Sequence, residues 1–186
     1  MGVSMIYTVE CSFTDPDGEA AWNDSYSLDK LPALISVRGF HTSQRFKALR
    51  PGCPAYLALH TIDGVDVLLG EEYRRKGGGS FARWQASITD WHRNLYAGPD
   101  RAPAVESDAC LMMSSTGPEP LVRCGLAPQA LRAVALDQSP ERRWLATARI
   151  SDVIAWMGAA SWPEGVHAYA PMTAQLTPVP AAVAAD

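Results

Sequence analysis

Residues 5–13, MIYTVECSF, decide the fold, because apolar and polar side chains alternate along them. One side of this segment carries Tyr7, Val9, Cys11 and Phe13, and the other carries Ile6, Thr8, Glu10 and Ser12. A period of two in a segment rich in β-branched and aromatic residues is typical of a β-strand. The sequence therefore predicts that the chain begins with a strand.

A helix and a hairpin are predicted to follow this strand. Trp22 and Tyr26 are four residues apart, and further apolar residues continue the same side, which indicates a helix over Glu19–Val37. Residues 40–49 alternate again, and after a Pro-Gly turn the apolar run at 55–62 reads as the second strand of a hairpin.

A second helix is predicted after Gly64, and it ends in the glycines at 77–79. Residues 81–96 fit a helical face, but completion of the fold favours a strand near 87–95, and we predict the strand. The resulting order, β-α-β-β-α-β, is the ferredoxin-like pattern, in which two helices cover one face of an antiparallel sheet.

The remainder of the chain repeats this pattern in part. Residues 98–108 have the composition of a linker, and four further strand signals and a short helix follow them, without a counterpart of the first helix. We predict an α+β fold with a ferredoxin-like half at 1–97, a degenerate second half at 109–177, and a flexible tail at 178–186.

This organisation resembles the dimeric α+β barrel superfamily, in which two ferredoxin-like units press their bare sheet faces together. The resemblance rests on the element order of residues 5–96, on Trp22, Tyr26 and LPALISVRGF at 31–40, and on RNLY at 93–96. It implies a barrel made by two halves of one chain, since an exposed apolar sheet face would otherwise associate with other molecules. The superfamily includes isomerases, lyases, cyclases, cofactor-free oxygenases, haem enzymes and non-catalytic members, so it implies no single activity.

Composition excludes several classes of function. The chain has 16 Lys and Arg against 20 Asp and Glu, and its balanced charge of −4 provides no basic surface for nucleic acid. Its apolar runs are shorter than a bilayer requires, and its first residues lack a secretory pattern, so we expect no membrane partner and a cytoplasmic protein. The four cysteines are spread singly, without the spacing of a metal site or a disulfide framework.

The candidate site combines polar groups on the strands with aromatic groups on the helices. Small-molecule pockets need an apolar wall and a few convergent polar groups, and in this fold they lie between the sheet and the first helix. We predict as catalytic residues His41, His60, Arg45 and Tyr56, and as substrate-binding residues Glu10, Trp22, Tyr26, Trp84, Trp91 and His92. Either of the first two histidines could then act as acid or base near neutral pH. Arg45 would hold a carboxylate or enolate, and Tyr56 would donate a hydrogen bond.

Each candidate also has a structural interpretation. In this interpretation His41 is exposed beside a turn, His60 makes a structural hydrogen bond, and Arg45 lies exposed on an edge strand. The paired aromatics of the first helix belong to the core in the same interpretation.

Two functions remain open at this level. The first is a cofactor-independent isomerase, lyase or cyclase that moves a proton on an aromatic or unsaturated carbonyl compound. The second is a non-catalytic ligand-binding or interaction protein, and haem ligation by a histidine is a third option. The sequence also leaves a homodimer possible.

Overall fold

A computed structural model describes residues 4–158 and 162–179 as a closed antiparallel barrel of eight strands with helices on its outer side. The strands are β1 Met5–Phe13, β2 Phe40–Ala48, β3 Tyr56–Ile62, β4 Ile88–Ala97, β5 Ala109–Ser114, β6 Gln129–Leu136, β7 Arg142–Arg149 and β8 Val166–Pro171. They neighbour one another in the order β1-β3-β2-β8-β5-β7-β6-β4, and β4 closes the barrel on β1. The predicted α+β barrel is confirmed.

The helices of the first half follow the predicted order. One continuous helical segment comprises α1 Glu19–Asp24, a π-helix Ser25–Lys30 and α2 Leu31–Ile35. The second helix is split into α3 Val65–Leu69 and α4 Glu71–Arg75 because the chain is extended at Gly70, with φ −67° and ψ 150°. A 3₁₀-helix Ala82–Ser87 precedes β4, which confirms the strand predicted near 87–95.

The later helices are short. The helix α5, Glu119–Arg123, lies where the sequence analysis found no counterpart of the first helix, and α6, Ile150–Met157, follows β7. Within the described residues, no helix is long and apolar enough to cross a membrane. Most of the predicted tail lies outside the described residues, from position 180 onward.

Alternation along the strands separates two kinds of core. The barrel interior is filled by side chains from all eight strands, among them Ile6, Phe46, Leu57, Leu59, Tyr96, Leu111, Met113, Leu131, Leu145 and Tyr169. The opposite strand faces pack against the helices, with Tyr7, Val9 and Cys11 of β1 in contact with the first helical segment. A residue's parity on its strand therefore decides whether it faces the barrel interior or the helical layer.

The segment predicted as a linker contributes to the interior core of the barrel. Its Ala102 and Val105 are buried in the interior core. Val105 donates its backbone N–H to the side chain of Gln44 and accepts a hydrogen bond from the same amide, at 3.1 and 2.8 Å. These contacts hold the segment against β2, so it packs as part of the fold.

Candidate functional site

An aromatic stripe on the first helical segment ends in a lysine. Trp22, Tyr26 and Lys30 are spaced four residues apart, and the last two lie in the π-helix. Short π-helical segments are often found at functional sites. Both aromatic rings are buried, and the lysine is partly exposed at the end of the stripe.

A cleft of about 520 Å³ lies between this helix and the glycine-rich loop that follows α4. The residues that line it are Trp22, Ser25, Tyr26, Asp29, Lys30, Ala33, Lys76, Gly77, Ser80, Phe81, Ala82, Arg83 and Trp84. Four of these residues are aromatic, and four carry a charge: Asp29, Lys30, Lys76 and Arg83. The volume lies within the range of small-molecule sites.

Lys30 is a half-buried charged group of this cleft. Its Nζ donates hydrogen bonds to the carbonyl oxygen of Gly77, at 2.6 Å, and to that of Ser80. The same nitrogen lies 4.9 Å from the ring centre of Phe81 and 5.4 Å from that of Tyr26. Backbone oxygens therefore occupy two of the three hydrogen-bonding positions on the lysine nitrogen, and the third remains for a bound molecule.

Burial lowers the pKa of Lys30 from its ordinary value of 10.5 to about 8. Desolvation disfavours the ammonium, because the aromatic rings around it replace water. A lysine of this kind exists partly as a neutral amine near neutral pH, so it can accept a proton as well as donate one.

The loop that holds Lys30 depends on its glycines. Gly77 and Gly79 have φ of +87° and +71°, which side chains rarely adopt. At Gly78 a Cβ atom would lie 2.3 Å from the ring of Tyr73. The loop can therefore pass the ring of Tyr73 only without a side chain at position 78, and on this path its two carbonyl oxygens reach the amine.

Arg45 lies behind the aromatic wall of the cleft, between the helix and the sheet. It is 1% exposed, and its guanidinium lies 4.2 Å from the ring centre of Tyr26 and 5.0 Å from that of Trp22. It donates to the backbone oxygen and Oδ1 of Asn23 and to the hydroxyl of Ser27, at 2.9–3.1 Å. Burial lowers its pKa. Arg45 does not line the cleft, so its contacts position the aromatic rings.

Tyr56 belongs to the same buried network. Its hydroxyl donates to the carboxylate of Glu19 and accepts a hydrogen bond from Asn23 Nδ2 at 2.9 Å. Trp22 packs edge-on against its ring at 4.8 Å. The structure thus brings Trp22, Tyr26, Arg45 and Tyr56 together, but it turns the two polar groups toward helix residues.

His60 is fully buried and does not line the cleft. Its Nδ1 forms a hydrogen bond with Ser43 Oγ at 2.8 Å, and its ring stacks on Tyr7 at 5.4 Å. Burial lowers the pKa of His60 to about 3. A base near neutral pH needs both access and a suitable pKa, and His60 has neither, so the structure favours its interpretation as a packed histidine.

The other two predicted histidines are on the surface. His41 Nε2 lies 2.5 Å from Asp63 Oδ1, and both side chains are about half exposed. His92 Nδ1 lies 3.7 Å from Asp137 Oδ2 and is 55% exposed. Neither lines the cleft, so the structure does not bring the predicted histidines together.

Glu10 faces away from the other candidates. It points into the barrel interior, whereas Arg45 and Tyr56 point into the helical layer. The structure therefore does not bring Glu10 together with Arg45 and Tyr56. The reason is that pairing of β1 with β3 sets Glu10 opposite Leu57 of the interior core and sets Cys11 opposite Tyr56.

The two other tryptophans predicted to bind substrate lie near the first helix. Trp84 lines the cleft, and Arg83 stacks over its ring at 4.5 Å. Trp91 packs edge-on against Phe81 at 5.2 Å and lines a smaller void beside Lys30. Trp84 therefore lines the cleft itself, whereas Trp91 does not.

Sequence reasoning missed Lys30 and Phe81. The signal for Lys30 was present, because a lysine occupies the next position of the stripe that holds Trp22 and Tyr26. Phe81 follows the glycine-rich loop, and only the folded loop brings it to the helix. Within residues 4–158 and 162–179, no three His, Cys, Asp or Glu side chains are arranged to hold a metal ion.

Comparison with known proteins finds the same fold in several solved structures. No family model and no curated protein matches the sequence. Among solved structures, an anthrone oxidase-like protein matches with a TM-score of 0.55 at 9% identity, over 95% of each chain. A candidate monooxygenase from Fusobacterium nucleatum matches with a TM-score of 0.55 at 7% identity, over 93% of this chain and 94% of that one. A candidate chlorite dismutase matches with a TM-score of 0.50 at 11% identity, over 93% and 96%. At these identities the likeness shows the fold alone, and the chain has an α+β barrel fold of the kind found in these proteins.

Proposed function

We propose that the protein is a small-molecule enzyme that binds an aromatic or unsaturated carbonyl compound in the cleft and moves a proton on it. The observation that carries the proposal is Lys30, a desolvated amine held by two backbone oxygens between aromatic rings. The reaction class is that of an isomerase, lyase or cyclase, and the proposed chemistry uses no cofactor.

The walls of the cleft supply binding. The partly exposed ring of Trp84, beside the buried rings of Trp22 and Phe81, favours a flat, conjugated ligand, because aromatic pairs add attraction to that of area burial. Similarity to an anthrone oxidase-like protein is compatible with an aromatic ligand and shows no more than the fold.

Lys30 supplies the chemistry in this proposal. As a neutral amine it takes a proton from the carbon next to the bound carbonyl group, which leaves an enolate and an ammonium. The ammonium stabilises the enolate oxygen and returns the proton to another carbon, so the double bond shifts and no atom is gained or lost. In this proposal the base is Lys30, in place of the histidine predicted from the sequence. Arg45 has a positioning role.

The test is exchange of carbon-bound hydrogen. The compound 2-tetralone has a planar benzene ring and acidic hydrogens beside its carbonyl, so its exchange in heavy water can be followed by proton NMR. We expect wild-type protein to accelerate this exchange, and K30M to lose at least about a hundredfold of the acceleration, the lower end for a general base. The matched control is K47M, which removes a lysine that is 55% exposed and does not line the cleft.

The outcomes separate two functions. Binding of 2-tetralone to the wild type, seen as tryptophan quenching, without accelerated exchange would favour the non-catalytic ligand-binding protein. Absence of binding, or equal exchange by K30M and the wild type, would refute the role of the cleft. Because some neighbours in fold are described as monooxygenases, oxygen consumption should be measured in the same experiment.

We also propose that the barrel is built from two ferredoxin-like units in one chain. The support is strand order: the first four strands lie in the order β4-β1-β3-β2, and the last four lie in the equivalent order β8-β5-β7-β6. Separate expression of residues 1–97 and 98–186 tests this, since two such units should associate when they are mixed.

A further inference from the structure

A second polar site lies at the open end of the barrel interior, on the opposite side of the sheet from the cleft. Glu10 of β1 and Arg143 of β7 meet there, with Glu10 Oε2 2.9 Å from Arg143 Nη1. Their side chains are 3% and 14% exposed. Most of the interior is apolar, so a buried ion pair at this position calls for a physical reason.

The ion pair leaves hydrogen-bonding capacity unused. Within the part of the chain that the structure describes, Glu10 Oε1 and Arg143 Nη1 are buried and have no hydrogen-bond partner. The two side chains attract each other by charge, but their contact is not aligned as a hydrogen bond. An unsatisfied buried acceptor beside an unsatisfied buried donor is unfavourable in the free protein, and a ligand with the complementary pair of groups would relieve both.

A cavity of about 240 Å³ adjoins this pair. Its other lining residues are Gly52, Cys53, Pro54, Met113, Ser114, Ser115, Ser139, Pro140, His167 and Tyr169. The volume corresponds to about eight water molecules at their share of liquid volume, so it suits a molecule with one ring or fewer. Gly52 and Ser115 at the rim are exposed, whereas Glu10 and Tyr169 at the floor are buried.

The remaining polar groups carry no further charge into the cavity. Burial, aided by the charge of Arg143, lowers the pKa of His167, so its imidazole is neutral near pH 7. Burial likewise raises the pKa of Tyr169, which keeps its hydroxyl protonated. The ion pair is neutral as a whole, and a charged ligand would therefore enter without a compensating charge.

We propose that this cavity binds a small uncharged carboxamide or urea-type molecule, whose N–H donates to Glu10 and whose carbonyl oxygen accepts from Arg143. An amide places its donor and acceptor side by side, which matches the adjacent free carboxylate and guanidinium atoms. A carboxylate of the same shape has no donor for Glu10 and adds a negative charge beside it, so it is excluded. The site is independent of the proton-transfer function proposed for the cleft.

The test compares benzamide with benzoate, which have the same size and shape. Titration of the full chain by calorimetry should show that benzamide binds at least about tenfold more tightly than benzoate, the ratio expected when a buried charged acceptor loses its donor. In histidine NMR spectra, His167 should shift when benzamide is added, whereas the surface residues His41 and His92 should not.

Two variants locate the binding. E10Q keeps the shape of the side chain but removes its charge, and it leaves Arg143 unpaired, which threatens folding. The double variant E10M/R143M replaces the pair with apolar groups of similar length, and such exchanges are often neutral or stabilising. We expect it to fold and to lose at least about tenfold in benzamide affinity.

The outcomes are distinct from those of the cleft. Benzamide should bind K30M as it binds the wild type and should not compete with 2-tetralone. Equal affinity for benzamide and benzoate, absence of benzamide binding to the wild type, or unchanged affinity of the folded double variant would each overturn the proposal.

Discussion

Replacement of Lys30 by methionine should change how the stability of the protein depends on pH. In the folded chain the pKa of Lys30 is about 8, and in the unfolded chain it returns to 10.5. Between these two values the unfolded state binds more protons than the folded state, so this lysine makes the folded state more stable as pH rises. Well below pH 8 the lysine is charged in both states, and its lowered pKa then reduces the free energy of unfolding by the full amount.

The size of the effect follows from the two pKa values. The difference between the two pKa values corresponds to at most about 3.4 kcal/mol of unfavourable free energy when the lysine is charged. Between pH 7 and pH 9 the wild type should recover about 1.3 kcal/mol of this amount, as the amine loses its proton in the folded state. Methionine keeps the length of the side chain and cannot titrate, so K30M should lack this part of the pH dependence.

The assay is urea unfolding of both proteins at pH 7 and pH 9, followed by tryptophan fluorescence. The stability difference between wild type and K30M should move by about 1.3 kcal/mol in favour of the wild type at the higher pH, with unchanged m-values. R83M is the control, because it removes a cation of the same cleft that keeps its charge in this range. A difference between wild type and K30M that stays constant with pH would refute the reasoning about Lys30.

Four further predictions concern the residues around the cleft and the sheet. His60, with its pKa lowered to about 3, must stay neutral in the folded state, so acid favours unfolding: between pH 7 and pH 5 the wild type should lose about 1.9 kcal/mol relative to H60F in urea titrations. S43A removes the partner of His60 Nδ1 and should lower the free energy of unfolding by about 1–3 kcal/mol, and an effect near zero would mean that the bond is not formed. W22A should lose about 3–5 kcal/mol, because the ring is 1% exposed and packs on both the sheet and the helix. G78A places a methyl group against the ring of Tyr73 and should lose about 1–3 kcal/mol and weaken 2-tetralone binding, so wild-type affinity in this variant would contradict the role of the loop.

The placement of the polar candidates shows why the site was only partly predictable. Alternation within β1 told which residues share a face, but the sequence does not tell which face of one strand aligns with which face of the next. The register of β1 against β3 decides this, and it separates Glu10 from Tyr56. The predicted histidines also failed to converge, because position on a strand reveals neither the burial of a side chain nor its partners.

By itself, the sequence determined the strand and helix order of the first half, since a period of two and a period near four are local properties of the chain. It also predicted the aromatic stripe of Trp22 and Tyr26, which lies on one side of a helix whatever the helix packs against. Only the tertiary structure decided the chemistry of Lys30 and of the Glu10 and Arg143 pair. The acidity of a side chain depends on the water, carbonyl oxygens and charges around it, and residues distant in sequence supply these only when the barrel closes.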